Sequence, residues 1–244
     1  MKKIILSLLL LCAAVGIQAQ TDRYACWLNA ATGAWEWGFF KDFAVHDARQ
    51  WQYAAVKEGR KKTAVTLRSG KETLQLEIRY QNDSVCTIAV DDGKAQTYRL
   101  WNSAKSILSY LPADTAASRP CQFHENSVML RGYLPDFPNQ NLEYIYYERF
   151  QDTQKIANVP TDSIGRFELS IPVLGRTEVL FRIQSHMFSL LLSPQSECFL
   201  WIKGNSFLMM GENGRINHEL SDIQESFFVQ PKTLRYPNVV SDSV

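Results

Sequence analysis

The chain has 244 residues, of which 26 are Lys or Arg, 25 are Asp or Glu, and 45% are hydrophobic. Without Lys2 and Lys3, which lie at the extreme N-terminus, the chain has 24 basic and 25 acidic residues and is almost neutral. This balance provides no bulk attraction to nucleic acid or to an acidic membrane surface, and the length suits one large or two small domains of roughly 100 to 150 residues each.

The first 20 residues, MKKIILSLLLLCAAVGIQAQ, have the pattern of a secretory signal peptide. Two lysines precede an apolar run, and the small residue Ala19 offers a cleavage point. We therefore expect residues 1–19 to be removed and the protein to reach the periplasm or cell envelope. The run is shorter than the roughly 20 residues of a membrane-spanning helix, and no later segment is long enough, so no transmembrane segment is expected. A lipid anchor on Cys12 is the weaker alternative, because leucines fill the positions before it.

Residues 26–53, CWLNAATGAWEWGFFKDFAVHDARQWQY, are unusually aromatic. The alternate positions of Trp35, Trp37 and Phe39 favour the interior of a sheet, because a secreted protein seldom leaves so large an apolar patch in water. Flat aromatic faces also stack on sugar rings or peptides. Trp35, Trp37 and Trp51 are therefore a candidate contact surface.

The segment from Thr63 to Trp101 predicts an antiparallel meander of four strands. Leu74, Leu76 and Ile78 alternate with polar residues, which is typical of a half-buried strand. Asn-Asp, Asp-Gly and Ser-Gly pairs separate the strands at positions suited to tight turns. We assign residues 20–118 to a β-rich unit that contains this meander.

After a stretch poor in strand formers, short apolar or alternating runs recur between turn residues, and they predict a β-sandwich-like unit over residues 119–210.

A helix is expected over 211–230, followed by a tail over 231–244. Asn213 is placed to cap the helix, and four apolar residues are spaced to form a helix interface. We expect this interface to pack on the protein's own sheet, with self-association as the second choice; its residues are Ile216, Leu220, Ile223 and Phe227. The predicted fold is thus mainly β, with an antiparallel meander, then a β-sandwich-like unit and a C-terminal helix.

The cysteines that follow the leader are Cys26, Cys86, Cys121 and Cys198. Bridges between Cys26 and Cys86 or between Cys121 and Cys198 are conceivable in an oxidising compartment, but Cys86 and Cys198 lie in strand-like runs, which favours buried thiols. The four histidines are dispersed, and the sequence has no nucleophile elbow, phosphate loop or zinc-binding helix. We therefore expect no metal, no cofactor and no enzymatic activity.

Three hydroxyl residues are candidate glycosylation sites. Asp followed by Ser or Thr and then a small or apolar residue resembles the acceptor motif for O-glycosylation in secreted Bacteroidetes proteins, and it occurs at Ser84, Thr115 and Ser163. The same residue pairs are also ordinary turn formers, so both interpretations are kept.

Four segments resemble a known family: ATGAWEWGFFKDFAVHDARQWQY, VMLRGYLPD, TDSIGRFELSIPVLGRTEVLFR and FLMMGENGRINHEL. Together they are similar to the N-terminal, non-catalytic region of the secreted TlpA-like thiol-disulfide oxidoreductases of Bacteroidetes. In that family a thioredoxin-fold domain follows, and its Cys-x-x-Cys performs the chemistry. This sequence contains no Cys-x-x-Cys, so the resemblance transfers no catalytic residue.

The resemblance implies a secreted accessory or binding module that works without catalysis. The partner of such a module is unknown. The two candidates are a thioredoxin-fold protein and a component of the cell envelope. One alternative is a redox partner or truncated oxidoreductase that acts with a separate thioredoxin domain. Another is a glycan-binding module that uses the tryptophan cluster.

The signal peptide leads to a test of processing. We expect the mature chain to begin at Gln20, because Ala19 is small and follows the apolar run. Intact mass and N-terminal sequencing of the exported protein measure this directly. Lipid attached to Cys12 would contradict the assignment.

Overall fold

The computed structural model describes residues 25–59, 62–112, 126–148 and 153–228, apart from the side chains at 126, 148 and 223–228. Within these ranges the chain is mainly β, with an antiparallel meander, two further sheets and one C-terminal helix, as predicted. The proposed boundary between residues 118 and 119, the leader and the tail lie outside the described residues.

The first eight strands form a closed antiparallel barrel. They are β1 (Ala25–Asn29), β2 (Trp35–Phe39), β3 (Phe43–His46), β4 (Arg49–Glu58), β5 (Thr63–Ser69), β6 (Glu72–Asn82), β7 (Val85–Val90) and β8 (Gln96–Leu100). Each strand pairs with the next, and β1 also pairs with β8, so the barrel has no free edge. The predicted four-strand meander is confirmed as β5 to β8, one half of this barrel.

The interior of the barrel is filled by side chains. An eight-stranded barrel encloses a space just wide enough for this kind of packing. Large aromatic and aliphatic residues from all eight strands occupy the centre, among them Trp27, Trp37, Ala44, Trp51, Val65, Leu67, Leu76, Ile78, Cys86, Ile88 and Tyr98.

A β-bulge in β2 separates two tryptophans that the sequence pattern placed together. Trp27 of β1 lies opposite Trp37, but the next residue, Leu28, lies opposite Trp35, so Glu36 is the extra residue. Because of the extra residue, side chains before and after the bulge that are two positions apart point to opposite faces of the strand. Trp37 therefore points into the barrel, whereas Trp35 points outward, and the expectation that the two share one face is wrong.

The remaining strands form a sandwich of two four-stranded sheets. Sheet I has the order β11 (Thr153–Pro160), β10 (Asn141–Glu148), β13 (Thr177–Ile183), β14 (His186–Leu192), and sheet II has the order β12 (Arg166–Val173), β9 (Asn126–Tyr133), β15 (Glu197–Lys203), β16 (Ser206–Gly211). All neighbours are antiparallel except β9 and β15. Inward residues from both sheets form one core, which includes Leu130, Leu142, Phe167, Leu169, Phe181, Leu190 and Leu200.

The turn from Asp162 to Gly165 directs the chain from sheet I into sheet II. One carboxylate oxygen of Asp162 accepts hydrogen bonds from the backbone N–H groups of Ile164 (3.0 Å) and Arg166 (2.8 Å). Gly165 has φ +95°, and a Cβ there would lie 2.1 Å from the carbonyl oxygen of Leu134. Only glycine fits this close approach of two backbones.

The barrel packs on the outer face of sheet II. A second core lies at this contact, with Cys26, Leu28, Trp35, Phe40 and Phe43 from the barrel and Tyr133, Phe199, Trp201, Leu208 and Met210 from the sandwich. Phe40 and Phe43 each meet the Tyr133 ring at a centroid distance of 5.1 Å. The outward position of Trp35, which the bulge creates, supplies part of this contact.

One helix, α1 (Gly214–Phe228), follows β16. It contacts β16, β14 and the 3₁₀ turn Ile107–Tyr110, so it lies against the protein's own sheets. No helix among the described residues combines the length and the apolar character needed to cross a membrane.

Candidate binding site

The three tryptophans proposed as a contact surface are buried. Trp37 is fully enclosed in the barrel, Trp51 is 4% exposed beside it, and Trp35 is 3% exposed between the barrel and sheet II. A ring can stack on a sugar only if one of its faces is accessible. The structure therefore supports the core interpretation and contradicts a contact surface made of these residues.

The described cysteines are buried free thiols, which confirms the prediction for Cys86 and Cys198. Cys26 faces sheet II, whereas Cys86 faces the barrel interior, so a bridge between them is wrong because they lie on opposite sides of the barrel wall. Burial raises the pKa of all three thiols, that of Cys86 to about 12. They are therefore protonated and weakly nucleophilic at neutral pH. Cys121 lies outside the described residues.

Two of the proposed glycosylation sites are exposed at turns. Ser84 lies between β6 and β7, and Ser163 lies in the turn between sheet I and sheet II. Thr115 lies outside the described residues. Modification of the two serines stays a prediction.

The start of α1 differs from the expected side-chain cap. The carbonyl of Asn213 accepts the first helical hydrogen bond, from Asn217. Its side chain, however, turns into the sandwich, where it accepts from Ser193 Oγ (2.8 Å) and donates to Ser196 Oγ (2.9 Å). Asn213 therefore fixes the helix to the loop between β14 and β15.

The next two inward residues of α1, Asn217 and His218, contact the backbone of the edge strands of both sheets. Asn217 Oδ1 accepts from the backbone N–H of Leu191 on β14 (2.7 Å), and Asn217 Nδ2 donates to the Leu191 carbonyl (2.9 Å). His218 Nε2 lies 3.2 Å from both the backbone nitrogen and the carbonyl oxygen of Met209 on β16, so the ring accepts from the one or donates to the other according to its tautomer. Strands β14 and β16 are the edges of sheets I and II, so α1 bridges the open side of the sandwich. We call this arrangement the edge clamp.

The edge clamp was missed in the sequence because its residues are polar. Asn217 is 2% exposed and His218 is 3% exposed, whereas the predicted interface residues Ile216 and Leu220 are only half-buried. The side chains of Ile223 and Phe227 lie outside the described residues. The spacing of Asn213 and Asn217, one helical turn apart, was the available signal, but a hydrophobicity pattern assigns such residues to solvent.

A small cavity of about 180 Å³ lies where the barrel, the sandwich and α1 meet. We call it the junction pocket. The end of β8, the loop with the 3₁₀ turn, the β15–β16 turn and α1 line it, through Trp101, Ser103, Ala104, Lys105, Ser106, Ile107, Asn205, Ser206, Phe207, His218, Ser221 and Asp222.

The lining of the junction pocket is both apolar and polar. Trp101, Ile107 and Phe207 are buried or half-buried there, whereas Ser103, Lys105, Ser106 and Asn205 are exposed. The indole N–H of Trp101 is buried and has no hydrogen-bond partner among the described residues. The Ser106 hydroxyl donates to Asp222, which fastens the loop to α1.

No group of three or more His, Cys, Asp or Glu side chains within the described ranges is arranged to hold a metal ion. Comparison of the chain with protein-family models, with curated proteins and with solved structures finds no significant match in any of the three.

The edge clamp predicts a dependence of stability on pH. Burial lowers the pKa of His218 to about 4, below the value of about 6.5 for an unfolded chain. Between these values the unfolded state binds the proton and the folded state does not, so the free energy of unfolding falls as the pH falls. The His218 contribution is complete above about pH 6.5, and roughly 2 to 3 kcal/mol of it is lost by pH 4.5.

Urea unfolding of the wild type and of His218→Gln, at a series of pH values from 7 down to 4.5, measures this contribution. The variant should lack that part of the pH dependence, whereas His186→Gln, at an exposed position, should keep it. Equal pH slopes for the wild type and His218→Gln would contradict the prediction.

Proposed function

We propose that this protein is a secreted, non-catalytic binding module that holds a small hydroxylated ligand, such as a single sugar ring, in the junction pocket. We also propose that it is related to the N-terminal region of the TlpA-like oxidoreductases, on the resemblance of its turn and helix motifs. The junction pocket is the observation on which the binding proposal rests. Ligand sites favour contacts between domains, and this pocket lies where the barrel meets the sandwich.

The size and lining of the pocket support a small, amphipathic ligand. A volume of about 180 Å³ is below the range of roughly 300 to 1,000 Å³ typical of pockets for drug-sized molecules. The Trp101 and Phe207 rings offer apolar contact to one side of a ring-shaped ligand. Serine hydroxyls, Asn205 and Asp222 also line the pocket and are groups that pair with ligand hydroxyls.

The alternative of a redox partner receives less support. Reactive cysteines need a stabilised thiolate and an accessible sulfur. Cys26, Cys86 and Cys198 are each at most 1% exposed, and burial raises the pKa of each. The glycan interpretation is retained only in altered form, with Trp101 in place of the buried tryptophan cluster.

Thermal shift and tryptophan fluorescence with glucose, galactose, mannose and N-acetylglucosamine at millimolar concentration test the proposal. At least one sugar should raise the melting temperature and saturate the fluorescence change. Asp222→Ala should weaken binding by about tenfold, because a charged hydrogen-bond partner is worth roughly 1.5 to 3 kcal/mol. Trp101→Phe should keep the stacking face but lose the fluorescence response.

Asp42→Ala is the matched control, since Asp42 is exposed on a barrel turn away from the junction pocket. It should bind as the wild type does. The proposal fails if no sugar gives a saturable change, or if Asp222→Ala binds as tightly as Asp42→Ala.

A further inference from the structure

Asn213 and Gly214, where β16 leads into α1, are the only Asn-Gly pair in the sequence. In such a pair the backbone nitrogen of glycine can attack the side-chain amide carbon of asparagine, because glycine has no Cβ to hinder the approach. A bond forms between that nitrogen and Cγ, the bond from Cγ to Nδ2 breaks, and ammonia leaves with the proton of the glycine N–H. Water then opens the resulting succinimide ring to aspartate or isoaspartate.

The fold itself requires both residues of this labile pair. Asn213 is 3% exposed, and its amide accepts from Ser193 Oγ and donates to Ser196 Oγ, so the position needs both a donor and an acceptor. A Cβ at Gly214 would lie 2.6 Å from the carbonyl oxygen of Met209, so the position needs glycine. The packing of α1 against the sandwich therefore places a reactive pair at the first turn of the helix.

The docked helix opposes the reaction. Nδ2 of Asn213 donates to Ser196 Oγ (2.9 Å) and to Cys198 Sγ (3.6 Å), and both contacts must break because this nitrogen is the leaving group. The Asn213 carbonyl also accepts from the backbone N–H (3.2 Å) and from Nδ2 (2.8 Å) of Asn217, which holds the first turn of α1 in place. Burial further excludes the water that opens the ring. The reaction therefore needs α1 to leave the sandwich first.

Both products weaken the edge clamp. Aspartate replaces the donor Nδ2 with an oxygen, so a buried carboxylate faces Ser196 Oγ and Cys198 Sγ without the amide hydrogens. Isoaspartate leads the main chain through Cγ and so lengthens the backbone, which displaces the carbonyl that Asn217 binds. Asn217 also holds Leu191 on β14, so a change at Asn213 reaches the edge of sheet I.

We propose that Asn213–Gly214 is a conformation-gated modification site, which deamidates when α1 undocks and whose products keep the helix from docking again. The rate in the native protein follows the population of the undocked helix, because local opening precedes the reaction. The site thus converts a reversible opening of the edge clamp into a permanent one.

Peptide mapping by mass spectrometry, after incubation at mildly alkaline pH with and without urea, tests the gate in the wild type. Asn102 and Asn205 are internal references, since both are exposed and each precedes a serine. Urea should speed conversion at Asn213 by about a hundredfold, the effect of releasing a locally folded segment. It should speed the references much less. An acceleration at Asn213 no greater than at the references overturns the proposal, as does conversion in urea no faster than theirs.

Two serine variants test which contacts hold the gate closed. Ser196→Ala removes an acceptor of Asn213 Nδ2 and should speed conversion in the native protein by about fivefold, the effect of one lost hydrogen bond. Ser185→Ala is the matched control, because Ser185 is exposed in the turn between β13 and β14, and it should convert like the wild type. Equal rates in the two variants, with folding checked by circular dichroism, contradict the gate.

A product mimic tests the second half of the proposal. Asn213→Asp should speed hydrogen exchange at the Leu191 amide by about tenfold, because the buried carboxylate disfavours docking of α1. Asn102→Asp makes the same chemical change at an exposed position and should leave that exchange rate unchanged. If the Leu191 amide exchanges equally slowly in both variants, deamidation does not keep the helix undocked and the proposal is overturned.

Discussion

The clamping of two sheet edges by one helix is the interaction on which the rest of the sandwich depends. An edge strand exposes backbone groups that pair readily with another chain, and a two-sheet sandwich has such edges on each open side. On one side of this sandwich, consecutive residues of α1 bind the two edges: Asn217 bonds to Leu191 on β14, and His218 bonds to Met209 on β16. The helix is therefore a structural part of the sandwich.

The clamp also connects the sandwich to the barrel and to the junction pocket. His218 touches Met209 on one side and lines the pocket on the other. One helical turn later, Asp222 receives the Ser106 hydroxyl from the loop that follows the barrel. The position of α1 thus sets the distance between the pocket walls. If the pocket binds a ligand as proposed, binding is coupled to docking of the helix, because both need the same orientation of α1.

Period-two patterns predicted much of the fold, because alternation reflects directly which face of a strand is buried. The strands from Thr63 to Leu100 and the turn at Asp162 follow from their residues in this way. Barrel closure depends on the pairing of β1 with β8, which are about 70 residues apart and leave no local signal. The bulge at Glu36 could not be predicted from the local sequence either, because it depends on the register of β2 with β1. It moves Trp35 to the opposite face from Trp37.

The candidate site was less predictable than the fold. Hydrophobic spacing identified Ile216 and Leu220 as the inward face of α1, yet both are only half-buried, whereas the polar side chains of Asn217 and His218 are buried. Polar side chains can be buried when each finds a backbone partner, and those partners lie on strands distant in sequence. The pocket has the same origin, because Trp101, Phe207 and Asp222 come together only after the barrel, the sandwich and the helix have assembled.

Hydrogen exchange at single backbone amides, measured by NMR, tests the edge clamp most directly. The amides of Leu191 and Met209 lie on edge strands, yet both should be strongly protected, because Leu191 donates to Asn217 and the buried His218 ring lies 3.2 Å from the Met209 backbone nitrogen. Asn217→Ala should speed exchange at Leu191 more than at Leu190, the neighbouring residue on β14. Exchange of the Leu191 and Met209 amides in the wild type at the rate of an unstructured chain would contradict the account.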